Sequence, residues 1–303
     1  MKNNRNPPPA PVVQKVMAVL TTGRTVRAVL TGGMLLLLAA GLSKPATAQG
    51  RLDARYAATL GGLPIGRGAW VIDISDDHYT AAASGMTAGI MRIFASGQGT
   101  TAARGNIAGG NLLPVSYASN IKTEEKSEDV RMTLRGLNIT EFSVTPPAPP
   151  NPERVPLAEA HRRGVSDPMT GSLMRVPGTG NPLNPEACNR SQSIFDGRLR
   201  FDLQFQFKRM DSVKAERGYE GPVVVCAVYF RPIAGYIPDR PAIRYLVDLR
   251  TIEVWLAPIA GTRVLVPFRM SIPTPLGEGL LQATQFVSGP RAARANPASA
   301  KTQ

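Results

Sequence analysis

The sequence predicts a mostly β protein: one large antiparallel sheet curled into an open or half-closed barrel or spiral, with one or two short helices inserted. Two stretches and the punctuation between them carry this. Leu199, Phe201, Leu203, Phe205 and Phe207 alternate with Arg200, Asp202, Gln204, Gln206 and Lys208, a period of two that a helix does not produce. Val264, Val266, Phe268, Met270 and Ile272 repeat the pattern near the C-terminus. The 29 glycines and 27 prolines among 303 residues cut the chain into short runs, the signature of strands joined by turns. About 12 to 14 strands are expected, near the size at which a sheet must curl or close.

The first 48 residues read as a targeting segment. They carry Lys2, Arg5, Lys15, Arg24, Arg27 and Lys44 and no acid, and the apolar run Ala28 to Leu42 precedes Ala46-Thr47-Ala48. A basic start, a short apolar stretch and a small-x-small site together predict a signal peptide cleaved after Ala48. The apolar run is shorter than the roughly 20 residues of a spanning helix and contains Gly32-Gly33. No cysteine lies nearby to take a lipid anchor, so the expected product is periplasmic, with no integral membrane span after cleavage. Residues 49–288 are expected to form a single β-rich domain with a helical insert at about 153–176, and residues 289–303 a disordered tail.

Within the domain, Arg55–Leu60 and Ala69–Ile74 read as strands around the turn chemistry of Gly61-Gly62-Leu63-Pro64. Asp76-Asp77-His78 turns the chain into Tyr79–Ser84. Thr87 to Thr101 is ambiguous. Arg104–Ala108 and Leu113–Ser119 flank Gly109-Gly110, and the polar run Lys122–Asp129 caps a hairpin ahead of Val130–Leu134. Glu141–Val144 leads into the proline-rich Pro146–Pro152. Leu157–Arg163 can form a short helix with Glu159 and Arg163 at i,i+4. Asp167-Pro168 is a second helix start, with Asp as cap and Pro in the first turn, running to about Arg175. After the loop Pro177–Pro185 come the alternating strand at Leu199–Phe207 and the apolar Pro222–Phe230. Strands at Ile243–Asp248, Thr251–Leu256 and Arg263–Ile272 and a final run from Gly279 to Phe286 complete the chain.

Charge narrows the partners. Removing six basic residues with the signal leaves 29 positives against 22 negatives, a net +7 with no block of consecutive Lys or Arg. Such a field favours anionic neighbours, such as phospholipid headgroups or acidic polysaccharide. No nucleic-acid motif is present.

Candidate chemistry is sparse. Cys188 and Cys226, in an exported protein, are expected to form one structural disulfide pinning two strands. Cys226 lies mid-strand in an apolar run and no C-x-x-C spacing marks a redox pair. Phe195-Asp196-Gly197-Arg198 is the most distinctive short string. It reads either as a turn, with Asp bonding the backbone and Gly supplying positive φ, or as a ligand-facing motif. Only two histidines exist, His78 and His161, and neither belongs to a metal-ligand spacing, so no metal or cofactor is expected. A serine triad lacks a supporting motif. Acids such as Asp196, Asp202, Asp211 and Asp248 could meet in a cleft, which keeps a carboxylate-based envelope hydrolase as the alternative to a non-enzymatic protein.

The chain also resembles the bacterial domain-of-unknown-function 3108 family. The strings that carry the resemblance are Tyr56-x-x-x-Leu60 to Gly66, Gly105 with Leu113-Pro114-x-x-Tyr117, and Val165-x-Asp167-Pro168-Met169. They continue as Cys188-x6-Phe195-Asp196-Gly197-Arg198-x-Arg200-Phe201, Cys226-x-x-Tyr229 with Ile233 to Tyr236, and Val266-x-Phe268-Arg269 with Thr274 and Gly277. The resemblance spans about residues 53–287. It implies an exported antiparallel β protein of the cell envelope with no catalytic residues to carry over. The cysteine placement and the Phe-Asp-Gly string are also similar to those of a related periplasmic family whose open, spiral-like barrel supports envelope integrity. A non-enzymatic role follows as the expectation: binding a lipid, a glycan or a partner protein, with a lipid favoured if the concave face is apolar and unfilled and a scaffold if it is packed.

Overall fold

The computed structural model describes residues 49–89 and 96–290. The expected signal peptide at residues 1–48 and most of the expected tail, residues 291–303, lie outside them.

Fifteen strands and two helices are described. In chain order the first seven strands are β1 (Gly50–Leu60), β2 (Leu63–Ile74), β3 (His78–Thr87), β4 (Gly97–Ala108), β5 (Asn111–Thr123), β6 (Ser127–Arg135) and β7 (Asn138–Thr145). A connecting segment then carries a 3-10 turn at Glu159–Arg162, helix α1 (Pro168–Gly171) and the short β8 (Met174–Arg175). The second half holds β9 (Arg190–Phe195), β10 (Arg200–Lys214), β11 (Arg217–Gly218), β12 (Glu220–Ala234), α2 (Pro241–Asp248), β13 (Ile252–Pro258), β14 (Val264–Thr274) and β15 (Gly277–Pro290).

Thirteen strands form one continuous ladder, in the order β7-β6-β5-β4-β3-β2-β1-β15-β14-β13-β12-β10-β9. Every neighbouring pair in it is antiparallel. The sequence-adjacent hairpins follow from local chemistry. At Gly61-Gly62 and again at Gly109-Gly110 both central residues have positive φ, the requirement of the tight two-residue turn whose twist matches the flanking strands. The long-range joint is β1 with β15, which brings the two ends of the domain together along eleven paired positions.

The ladder does not close on itself: β7 and β9 are its two edges. One face carries the main core, including Leu52, Trp70, Ile72, Tyr79, Tyr117, Val130, Met132, Val225, Trp255, Val266, Phe268 and Phe286. Each large side chain of this kind contributes about 1.5–3 kcal/mol on full burial. Helix α1 enters that core through Met169, and Leu173 follows it just after the helix. It starts as the sequence predicts, with the Asp167 carboxylate accepting from the Thr170 N–H at 2.9 Å and Pro168 in the first turn.

A second, smaller core lies on the opposite face of the C-terminal strands, built from Phe205, Val224, Cys226, Val228, Val254, Leu256 and Leu265 under Met174, Val176, Ala187 and Cys188. Along β12, successive valines therefore belong to different cores: Val223 and Val225 to the first, Val224 to the second. This is why the run reads as continuously apolar.

Four expectations are corrected. Residues 243–248 are helical, not a strand, because Pro241 starts a helix in which Ile243, Leu246 and Val247 fall on one side. Helix α1 ends at Gly171 instead of reaching Arg175, since Met174 and Arg175 pair with Leu265 and Val264 of β14. The disulfide does not pin two strands. Cys188 follows a 3-10 turn in the loop that covers the second core, and its bond to Cys226 ties that loop to β12. With a sequence separation of 38 between the cysteines, the link is worth about 4 kcal/mol on the chain-entropy model. The two diagnostic apolar stripes lie in different cores: Leu203 and Phe205 pack in the second, Val264, Val266 and Phe268 in the first. Residues 289 and 290, expected in the tail, end β15.

Candidate functional site

Two interruptions of the sheet's regular packing bear on function. One is the gap between the edges β7 and β9; the other is a cavity at the far ends of β1, β2 and β3.

The gap is crossed by side chains and a strap. Residues 163–166 run between the edges, with the Val165 N–H donating to Leu137 O at 2.7 Å and the Ser166 N–H donating to Ser193 O at 2.9 Å. Isolated bridges join Asn138 to Arg163 and Ser166 to Ile194. Beside the strap, the Phe195-Asp196-Gly197-Arg198 turn reaches over to the other edge. The Phe195 ring meets Phe142 edge-on at 5.5 Å. Asp196 Oδ1 accepts from the Arg198 and Leu199 N–H groups at 2.8 and 2.6 Å. Gly197 has φ +102°, and a Cβ there would lie 2.8 Å from Val130 Cγ1. Arg198 donates through Nε to Glu128 Oε2 and through Nη2 to Pro146 O, both at 2.8 Å. Burial pushes the Asp196 carboxyl above its ordinary range against the two N–H groups that stabilise its charge. All four residues of the string thus serve the junction of β9 and β10 with β6 and β7.

The cavity is apolar and measures about 470 Å³, within the usual range for small-ligand sites. Gly66, Gly68 and Gly85, with Ala58 and Ala83, leave its floor without bulk. These glycines continue the inward alternation of Trp70 on β2 and Ala83 on β3, and Gly68 and Gly85 are direct cross-strand partners. A row of glycines on the buried face of a sheet removes core volume and marks a close approach. Tyr56, Trp70, Pro267, Met270 and Leu281 form the walls, and Ser172, just after α1, closes one side. Tyr56 donates its hydroxyl to Pro267 O at 2.7 Å, which fixes its ring. Trp70 is 9 % exposed, and its indole Nε1–H is buried without an acceptor. An orphaned buried donor is uncommon and costs free energy until it is met. Chemically, the cavity suits an apolar group carrying one hydrogen-bond acceptor.

The model of a family described as proteins of unknown function (DUF3108) matches residues 55–284, from β1 to β15. The chain belongs to the DUF3108 family. No curated protein matches this DUF3108 chain. A solved β-barrel-like protein of the domain of unknown function DUF1849 from Brucella abortus is similar at a TM-score of 0.43 and 10% identity, over 80% of this chain and 98% of that one.

The remaining sequence-level candidates of this DUF3108 protein are dispersed. Asp202 pairs with Arg200 at 2.7 Å and accepts from the Ser193 hydroxyl. Asp211 accepts from the Trp255 indole N–H at 2.9 Å, the main cause of its lowered pKa. Asp248 sits exposed at the end of α2. Each of these acids has a different setting from Asp196, and no shared cleft collects them. His78 hydrogen-bonds exposed Asp77 at 2.6 Å, and His161 Nδ1 accepts from the Ala158 N–H. Among the described residues no group of three His, Cys, Asp or Glu converges, and no helix is long and apolar enough to cross a membrane.

Sequence reasoning missed the cavity, the strap and Glu128. A signal for the cavity existed: Gly66, Gly68 and Trp70 share one strand face, which a count of same-parity glycines detects. Glu128 carries no such mark, because its partner lies seventy residues away in sequence and is met only across the gap.

Proposed function

We propose that this protein is a non-enzymatic, exported binding protein of the cell envelope that holds an apolar ligand, of lipid acyl-chain character, in the glycine-floored cavity. The cavity beside Trp70 carries the proposal. It combines space made by absent side chains with apolar walls and one unsatisfied donor suited to an ester or carboxyl oxygen. Large buried side chains such as Leu52, Ile72, Tyr79, Phe268 and Phe286 occupy the main core, which favours a bound group at one end over a carrier with a wholly hollow interior. Export to the periplasm belongs to the same proposal and is supported by the basic, acid-free first 48 residues and by the disulfide.

The chain contains two tryptophans, so Trp255→Phe leaves Trp70 as the sole indole reporter. A bromine-labelled fatty acid is expected to quench its fluorescence saturably. Gly85→Leu fills the cavity, and its Cβ meets nothing nearer than Arg67 O at 3.8 Å; this variant should stay folded and lose the quenching. Quenching unchanged by Gly85→Leu, or none in the parent protein, refutes the proposal.

A further inference from the structure

On the other side of α1 lies a second cavity of about 530 Å³ with different chemistry. Thr170 lines it from the helix, Leu173 from just after it, Gly110 and Asn111 from the β4–β5 turn, and Arg190 to Ser193 from β9. Two arginines, Arg175 and Arg190, stand in its wall. Neither is paired with a carboxylate among the described residues. Arg175 Nε donates to Gly110 O at 2.8 Å, and Arg190 Nη1 donates to Arg175 O at 2.9 Å. A third guanidinium, that of Arg263, borders the same segment and spends its donors on the carbonyls of Val176, Pro177 and Gly180.

Backbone carbonyls are weak counterparts for full positive charges. A guanidinium has five N–H donors and matches a carboxylate or phosphate in paired geometry. Here two arginines line one cavity with most of those donors uncommitted, and Arg190 Nε is buried with no acceptor. Ser166 supplies a second orphan: it is 5 % exposed, lines the cavity, and its hydroxyl has no partner. Burial and the nearby charge of Arg263 lower the Arg175 pKa, and burial alone lowers that of Arg190. The adjacent carboxylate, Asp167, offers no relief, because both its oxygens are engaged by Thr170 and burial raises its pKa.

We infer that this second cavity is an oxyanion site that takes a phosphate group, with Arg175 and Arg190 clamping its oxygens and Ser166 donating from the buried side. The inference stands apart from the apolar cavity and does not depend on it. A free phosphate and the headgroup of a phospholipid present the same tetrahedral oxyanion, so the source is left to the measurement.

The test uses the full mature chain. Calorimetric titration with inorganic phosphate, and separately with a short-chain phosphatidic acid below its micelle concentration, is compared with chloride at matched ionic strength. Saturable binding of inorganic phosphate assigns the site to a free anion; binding of the phosphatidic acid alone assigns it to a lipid headgroup. Arg190→Gln is expected to weaken binding by about tenfold or more, the cost of losing a charge-assisted contact. Because Arg190 also holds the Arg175 carbonyl, Arg175→Gln serves as the second variant; its side chain leaves only the bond to Gly110. Arg55→Gln, at an exposed position of β1 that does not line the cavity, should bind as the parent does. The inference falls if neither ligand binds more strongly than chloride, or if both pocket variants bind like the parent.

Discussion

The two halves of this sheet solve burial differently. Strands β2 to β6 bury one face only: Tyr79, Ala103, Tyr117 and Met132 point into the main core, while Ala82, Ala102 and Ala118 form an exposed cross-strand row on the other side. Strands β12, β13 and β14 bury both faces, because the loop carrying Cys188 and the short β8 lay a second core over them. In the first half β6 alternates apolar Val130, Met132 and Leu134 with polar Arg131, Thr133 and Arg135, whereas β12 in the second carries the continuous apolar run Val223–Val228. Both are antiparallel, so covering, not strand direction, sets the pattern. The half with a free face also holds the floor of the apolar cavity, where glycines thin the packing.

The sharpest way to break this contrast is one substitution made at matching outward positions. Val224→Asp buries an unpaired charge in the second core and is expected to cost about 4 kcal/mol or more, enough to leave the protein largely unfolded. Ala102→Asp, on the exposed row, should change stability by no more than about 0.5 kcal/mol. Chemical denaturation of both variants decides; similar losses would show that the outer faces are not differently covered.

A smaller effect tests the junction where the halves meet. Gly197→Ala forces a side chain into a φ of +102° and against Val130 Cγ1 and Val144 Cγ2. A loss of about 1–3 kcal/mol is expected, seen as a lower denaturation midpoint. A midpoint equal to the parent's would remove the turn from any role in holding the edges together.

The smallest effect concerns pH. Asp167 is fully buried, and burial raises its folded-state pKa above the ordinary carboxylate value. The folded protein therefore holds this proton more tightly than the unfolded chain. Its contribution to stability is fully present below the unfolded pKa and is lost as pH rises through the raised folded value. Asp167→Asn keeps an oxygen to cap Thr170 and removes the titration. Thermal unfolding between pH 4 and 7 should then slope downward less in the variant; an unchanged slope would assign the dependence elsewhere.

Much of the architecture was legible. Alternation in Leu199–Phe207 and Val264–Ile272 established antiparallel β structure, the paired glycines located the hairpins, and Asp167-Pro168 located the start of α1. The run Ile243–Asp248 misled because a short apolar stretch rich in branched residues fits a strand and a helix face equally well; the proline at its start carried the deciding information. At the candidate sites, the Phe195-Asp196-Gly197-Arg198 string was visible as a turn, but not the partners it meets.

By itself the sequence determined which residues alternate, where the chain turns, and which two sulfurs can bond, since these depend on neighbours a few positions apart. Only the tertiary structure decided which face of each strand is inside. A period of two separates two faces without saying which one is covered, so Phe205 and Phe268 look alike in sequence and lie in different cores. The same holds for both cavities. Gly68 and Gly85, or Arg175 and Arg190, acquire their meaning from cross-strand and cross-gap neighbours that burial, not local propensity, brings together.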